Sequence, residues 1–153
     1  MQQQKRTVNA REYIAMLADL AEDGREVSMI VTGSSMNPFL CHGRDVVFFS
    51  RPDRPLRPGD MVFYQRADGQ YVMHRIVRQY DQQRFDMIGD AQLDIERGVS
   101  RGQIFALVTR VQRKGKEIGP GDFWWVFFAH VWRRMIPVRR AVMALYAAGK
   151  RKK

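Results

Sequence analysis

The first regular pattern along the chain is helical. Ile14, Leu17 and Ala21 recur at the spacing that places apolar side chains on one face of an α-helix. Asn9 offers a capping side chain ahead of them, and Gly24 is a typical helix-ending residue. The pattern predicts one amphipathic helix over residues 9–23. A helix-turn-helix DNA reader would need more chain than this N-terminal segment provides.

From Val27 onward the pattern changes to short β runs separated by turn-forming residues. The separating stretches are RPDRPLRPGD, ADG, DQQ, GDAQLDIERG and RKGK. Their Gly, Pro and Asp content is typical of turns. Strands are predicted at 27–31, 45–50, 60–66, 70–79, 84–88 and 103–112. Many short strands with tight hairpins favour a compact, partly barrel-like β domain, so we expect a mainly β protein of the α+β class.

Residues 123–153 are predicted to be helical and differ from the rest in charge. FWWVFFAHVW is a run of ten mostly apolar residues, whereas a membrane-spanning helix needs ~20. No acidic residue follows Asp122, but eight basic ones do, while the preceding chain has 18 basic and 16 acidic residues. Most of the net charge of +10 therefore belongs to this tail. The tail could meet anionic headgroups, cover a face of the β domain with its charges solvated, or do both.

These patterns divide the chain into an N-terminal helix (1–26), a β domain (27–118) and an aromatic, then basic, helical tail (119–153). A length of 153 residues with 45% apolar and 27% charged composition suits one unit with a hydrophobic core. One cysteine and three separated histidines predict neither a disulfide nor a metal site, and no cofactor is expected. Without the apolar run of a signal peptide, we expect a cytoplasmic location or one at the inner face of a membrane.

One turn concentrates polar residues in a way that suggests chemistry. In TGSSMNPFL, Gly33 allows the backbone to present N–H groups near Ser35, and Pro38 stiffens the exit. A nucleophilic serine needs such donors for the oxyanion and a base for its proton. His74, in YVMHRIV, is the candidate base, because a titratable ring inside an apolar strand is costly without a partner. Taken singly, the two features also fit an ordinary turn and a satisfied core histidine.

Five motifs together resemble a known superfamily. TGSSMNPFL, GRDVVFF, RPGDMVFY, YVMHRIV and MIGDAQLD occur in the order and approximate spacing of type I signal peptidases and of the related LexA-type self-cleaving repressors. The resemblance covers residues 27–112 and implies the catalytic β fold of that superfamily. It implies that Ser35, directly before Met36, is the nucleophile, with Gly33, Ser34 and Met36 forming the oxyanion turn. Gly33 stands where bacterial signal peptidases have a serine donor, so backbone N–H groups would take that part.

The resemblance also implies the base and an orienting acid. His74 followed by Arg75 is similar to the histidine-type members of the endoplasmic reticulum, archaea and spore formers, in place of the usual lysine. Those members have an aspartate in or after the GD motif, which maps to Asp90 or Asp94, with Glu96 a more remote third alternative. Such an acid would hold the imidazole tautomer and stabilise its charged form.

The expected function is a serine endopeptidase of the signal peptidase I-like type, cleaving a peptide or precursor protein bound as an extended strand. A catalytically silent peptide-binding module and a self-cleaving regulator are the alternatives. Ala148-Gly149 resembles a LexA-type cleavage site but lies at the wrong end of the chain. Peripheral membrane contact is expected through residues 123–153. Nucleic acid is not an expected partner, because no recognition motif accompanies the basic residues.

Other polar and aromatic residues have simpler interpretations. Asp45 and Asp60 are predicted to be turn or cap groups at strand starts, and His42 to be exposed. The three tryptophans suit a membrane interface or a groove, with at least one expected in the core.

Overall fold

The computed structural model describes residues 10–151 of the chain, beginning with helix α1, Ala10–Glu22. Leu17 and Ala21 are buried and Ile14 packs against them, which confirms the predicted apolar face. The helix ends in a Schellman arrangement, with Gly24 at φ +85° and the Arg25 N–H donating to the Leu20 carbonyl. The predicted cap, Asn9, lies outside the described residues.

Eight antiparallel strands form one sheet. They are β1 (Val27–Ile30), β2 (Val46–Ser50), β3 (Met61–Gln65), β4 (Tyr71–Gln79), β5 (Arg84–Ile88), β6 (Glu96–Ser100), β7 (Ile104–Arg113) and β8 (Lys116–Ile118). The pairing order is β1-β2-β7-β3-β4-β5-β6, with β8 pairing β7. The six predicted strands all form, each within one residue of its predicted bounds.

Two strands were missed, for different reasons. β6 begins within the stretch GDAQLDIERG, whose composition predicts a turn, and only Val99 of its five residues is buried. β8 has three residues and follows a two-residue hairpin in which Lys114 and Gly115 have φ of 54° and 78°. Both strands were too short or too polar to show a period-two pattern.

The mainly β, α+β class is confirmed, but the sheet is not closed into a barrel. β1 and β6 stand at opposite ends of the pairing order, and no pairing joins them among residues 10–151. Apolar side chains pack on both faces of β3: Met61 and Phe63 join one hydrophobic cluster, and Val62 and Tyr64 join the other. This explains why β3 is a continuous apolar run rather than an alternating one.

The tail is helical in several short segments. These are α2 (Phe123–Val126), a π-helical turn (Phe127–Val131), two 3₁₀ turns (Trp132–Arg134 and Ile136–Val138) and α3 (Arg139–Arg151). Phe128 and Trp132 are buried in the same core as α1, and Phe128 stacks on Phe39 with ring centroids 4.8 Å apart. The tail therefore covers part of the β domain. Within residues 10–151, no helix has both the length and the apolar character needed to cross a membrane.

Candidate functional site

Ser35 lies on the loop between β1 and β2, held by buried side chains on its C-terminal side. Met36, Phe39 and Leu40 are all at most 1% exposed, whereas Ser35 itself is half-buried. The Met that distinguishes Ser35 from Ser34 in the sequence is thus the first anchor of the loop in the core. Anchoring of this kind keeps the neighbouring hydroxyl in one place.

The backbone of this loop offers hydrogen-bond donors beside Ser35. Gly33 has φ +81°, and its N–H donates to His42 Nδ1 at 2.8 Å. This bond engages the Gly33 N–H, and His42 is exposed as predicted. The N–H groups of Ser34, Ser35 and Met36 have no hydrogen-bond partner among the described residues. They are the donors available for an oxyanion.

The Ser35 loop is fastened to the GD turn that follows β5. The Ala91 N–H donates to the Ser35 carbonyl at 2.9 Å. A Cβ atom placed on Gly89 would lie 2.5 Å from the same carbonyl oxygen, closer than real contacts allow. The glycine of the GD motif is therefore required by the close approach of the serine loop.

Asp45 and Asp60 accept hydrogen bonds from turn backbone, as predicted. Buried Asp45 accepts the Cys41 and Lys114 N–H groups, and Asp60 accepts the Arg57 N–H.

His74 lies on β4 directly opposite Val62 of β3, with only 3% of its surface exposed. Tyr64, two residues beyond Val62 on β3, points to the same face and brings its hydroxyl 3.2 Å from His74 Nδ1. The Tyr64 hydroxyl donates to Glu96 Oε1 at 2.8 Å. The single phenol proton is used in the bond to Glu96, so in the contact between Tyr64 and His74 the Nδ1–H group donates to Tyr64 Oη. Nε2 of His74 then carries the free lone pair.

Burial and the charge of Arg66 keep the imidazole of His74 neutral. Burial, followed by the positive charge of Arg66, lowers the pKa of His74 to about 4. Burial alone would raise the pKa of Glu96, but hydrogen bonds from Arg66 and Tyr64 outweigh it and hold that pKa below its ordinary value. Arg66 reaches Glu96 Oε1 at 2.7 Å. Burial and the Glu96 contact raise the pKa of Tyr64, so the phenol stays protonated.

Ser35 and His74 line the same cavity, which has a volume of about 240 Å³. Its walls are mixed: apolar side chains come from separate elements, Met29 of β1, Phe63 of β3 and Ile14 of α1, and polar groups line a similar part of it. The cavity thus brings together a serine, a histidine and space for an apolar side chain, although no hydrogen bond joins Ser35 to His74 among the described residues. These are the components that nucleophilic acyl transfer requires.

Neither aspartate that the resemblance implied is hydrogen-bonded to His74. Both Asp90 carboxylate oxygens accept hydrogen bonds from buried Arg75, at 2.9 and 2.8 Å. Asp90 acts on His74 only through its negative charge, which raises the pKa of His74 by less than burial and Arg66 lower it. Asp94 is exposed and has no hydrogen bond or ion pair among the described residues. The acid connected to the imidazole is Glu96, the remote third alternative.

Tyr64 is the site residue that sequence reasoning missed. The signal for it was the ADG turn between the two predicted strands, because a hairpin at that point sets the residues of β3 against those of β4. Applied to Tyr64, that register would have placed the phenol one diagonal step from His74. The contact from Tyr64 to Glu96 had no comparable local signal.

Comparison of the chain with protein-family models, with curated protein sequences and with solved structures finds no match.

Proposed function

We propose that the protein is a serine endopeptidase of the signal peptidase I-like type, with Ser35 as nucleophile and His74 as base. The observation that carries the proposal is the cavity that Ser35 and His74 both line, together with the Tyr64 contact at Nδ1, while Nε2 has no hydrogen-bond partner among the described residues. The motif resemblance over residues 27–112 supports the same assignment and the corresponding catalytic β fold.

In the proposed reaction, Ser35 Oγ attacks the carbonyl carbon of a peptide bond while Nε2 of His74 takes the hydroxyl proton. The N–H groups of Ser34, Ser35 and Met36 are the donors for the oxyanion. Nε2 then gives its proton to the leaving amine as the C–N bond breaks, leaving an acyl ester on Ser35. A water molecule, deprotonated by the same nitrogen, hydrolyses the ester and restores the serine.

Tyr64 and Glu96 take the part that the aspartate has in a Ser-His-Asp triad. When Nε2 is protonated, the imidazolium gains a stronger bond from Nδ1–H to Tyr64 Oη, and the phenol remains bonded to the Glu96 carboxylate. The relay stabilises the charged imidazole and holds its tautomer. Arg66 neutralises Glu96 in the resting state, so the stabilisation is smaller than a directly bonded acid would give.

The substrate class follows from the cavity and the resemblance. A peptide or precursor protein would bind as an extended strand, with one apolar side chain against Met29, Phe63 and Ile14. Cleavage of the chain's own Ala148–Gly149 bond is disfavoured. The bond lies within α3, and that helix would have to unwind before the bond could enter the cavity.

The proposal is tested by exposing the protein to a fluorophosphonate and measuring its intact mass. We expect one adduct, mapped to Ser35 by peptide sequencing, in wild type and in Ser34→Ala, and none in Ser35→Ala. Absence of an adduct from the folded wild-type protein would favour the alternative, a peptide-binding module without turnover.

The labelling rate should retain its neutral-pH value until the pH approaches about 4. The reason is that the base acts only when neutral, and a lowered pKa keeps His74 neutral well below the ordinary imidazole range. Removing the Arg66 charge in Arg66→Gln should raise the pKa of His74 and move the decline to higher pH. Labelling is measured from pH 4 to 8.

Circular dichroism must follow the same pH series, because the lowered pKa also affects folding. Between pH 6.5 and 4 the unfolded state binds a proton at His74 that the folded state excludes. The free energy of unfolding therefore decreases as the pH is lowered through that window. A decline near pH 6.5 in a fully folded wild-type protein would contradict the lowered pKa of His74.

A further inference from the structure

We infer that the outer surface of the tail is a docking site for an anionic lipid bilayer. The inference does not rest on the proposed peptidase function, because the surface lies outside the cavity and outside residues 27–112. It concerns the side chains that the core leaves exposed on residues 123–149.

The tail is attached firmly to the β domain through its inner side. Trp132 Nε1 donates to the Asp90 carbonyl at 2.7 Å, and the buried guanidinium of Arg139 donates to the Gly89 and Gln92 carbonyls at 3.0 Å each. A Cβ atom on Gly59 would lie only 2.9 Å from the Ala129 carbonyl oxygen, which shows how closely the tail packs. The outer side is therefore presented on a fixed support.

That outer side is unusually apolar. Seven of the twelve exposed large apolar side chains among the described residues lie between Phe123 and Tyr146. Phe123 and Trp124 are 71% and 46% exposed, and with Phe127 they form a connected ridge with ring centroids 5.0 to 6.2 Å apart. We call these three residues the aromatic ridge. Exposed contiguous apolar surface of this kind indicates a partner.

A second apolar stripe begins at Val138, the last residue of the preceding 3₁₀ turn, and continues along α3. Val138, Ala141, Leu145 and Ala148 are exposed and recur at intervals of three and four residues, so they share one face. Leu145 is 74% exposed, while Val142 and Met143 pack against the core. Both α2 and α3 thus have residues packed into the protein and apolar residues exposed outside it.

The tail also carries the charges that favour an anionic partner. Arg134 and Arg140 are exposed and have no acidic partner among residues 10–151. No acidic residue follows Asp122, and the chain ends in KRKK. Aromatic rings and aliphatic side chains next to unpaired cations match the interface of a bilayer with anionic lipids, where rings enter the headgroup layer and cations meet phosphates.

Two other partners suit the surface less well. A second copy of this chain would bring the same uncompensated positive charge against itself, with +10 on each molecule. Nucleic acid would satisfy the arginines but would leave the valines and Leu145 in water.

The test is flotation of the full-length protein with phosphatidylcholine vesicles, with and without phosphatidylglycerol. We expect binding to the phosphatidylglycerol vesicles that decreases with salt and is much weaker with phosphatidylcholine alone. The double variant Phe123→Ser/Trp124→Ser and the double variant Arg134→Glu/Arg140→Glu should each reduce the partition coefficient at least about tenfold.

Matched controls separate the surface from general effects. Arg25→Glu/Arg78→Glu makes the same change in net charge at exposed positions elsewhere, and Leu93→Ser removes an exposed apolar side chain outside the tail; both should bind as wild type does. Melting curves verify that all variants are folded.

Three outcomes would overturn the inference. One is no wild-type binding to phosphatidylglycerol vesicles, and another is equal loss of binding in the control variants. The third is tighter binding to a DNA duplex that is lost in the arginine variant but unchanged in the Phe123→Ser/Trp124→Ser variant.

Discussion

Replacing Ser35 by alanine should abolish peptide cleavage, and replacing His74 by alanine should do so independently. Each change removes a group that forms or breaks a bond in the proposed reaction, so we expect kcat/KM to fall by about four orders of magnitude or more. Tyr64→Phe keeps the ring but removes the acceptor for Nδ1–H, and should cost about 10- to 100-fold. Cleavage is measured on a pool of synthetic peptides, with products identified by mass spectrometry.

Ser34→Ala is the matched control, because Ser34 is adjacent in the chain and exposed. It should retain most of the activity, since only its backbone N–H is assigned a part. Cleavage retained by either Ser35→Ala or His74→Ala would remove the proposed dyad. Loss in Ser35→Ala alone, with full activity in His74→Ala, would require a different base for the same serine.

Replacing Asp90 by alanine should instead destabilise the protein, by about 3–5 kcal/mol. Asp90 is fully buried and Arg75 is 1% exposed, and the guanidinium binds the carboxylate through Nε and Nη2 while Nη1 donates to the Gly59 carbonyl at 2.8 Å. Removing the carboxylate leaves a buried charge without its counter-ion. Chemical denaturation would measure the loss, and Arg75→Met in the same chain should recover part of it by removing that charge.

The other two acids provide the contrast. Asp94→Ala should leave both stability and labelling of Ser35 unchanged, because the Asp94 side chain is exposed and has no partner among residues 10–151. Glu96→Gln should lower the labelling rate more than it lowers stability, because Glu96 is the acid at the end of the Tyr64 relay. A stable Asp90→Ala variant that no longer labels would restore Asp90 as the orienting acid.

The signal for the elements was local and strong. The 3.6-residue spacing of α1, the turn residues between strands and the ten-residue aromatic run were sufficient to predict one helix, six strands and a helical tail. β6 was not predicted, because ERGVS has one buried side chain in five and its first residues belong to a stretch with the composition of a turn. A strand with so few buried side chains shows no alternating hydrophobic pattern in its own sequence.

The candidate site was predictable only in part. The Ser35 turn and the histidine within an apolar strand are unusual residue types for their positions, and the resemblance of the five motifs made them a candidate pair. The sequence alone did not decide whether the tail covers the β domain, contacts a membrane or does both. Its inner contacts through Phe128, Trp132 and Arg139 establish the first, while the aromatic ridge is the basis for proposing the second.

By itself, the sequence determined six of the eight strands and the hairpin between β3 and β4, because periodicity and turn chemistry act over a few residues. The candidate pair Ser35 and His74 came from the motif resemblance. Only the tertiary structure decided which acid is connected to the imidazole, namely Glu96 through Tyr64. Tyr64 and Glu96 are 32 residues apart, and register shifts in the β4–β5 and β5–β6 pairings lie between them. A one-residue shift reverses the face on which a side chain lies, so the contact depends on bulges that no local pattern records.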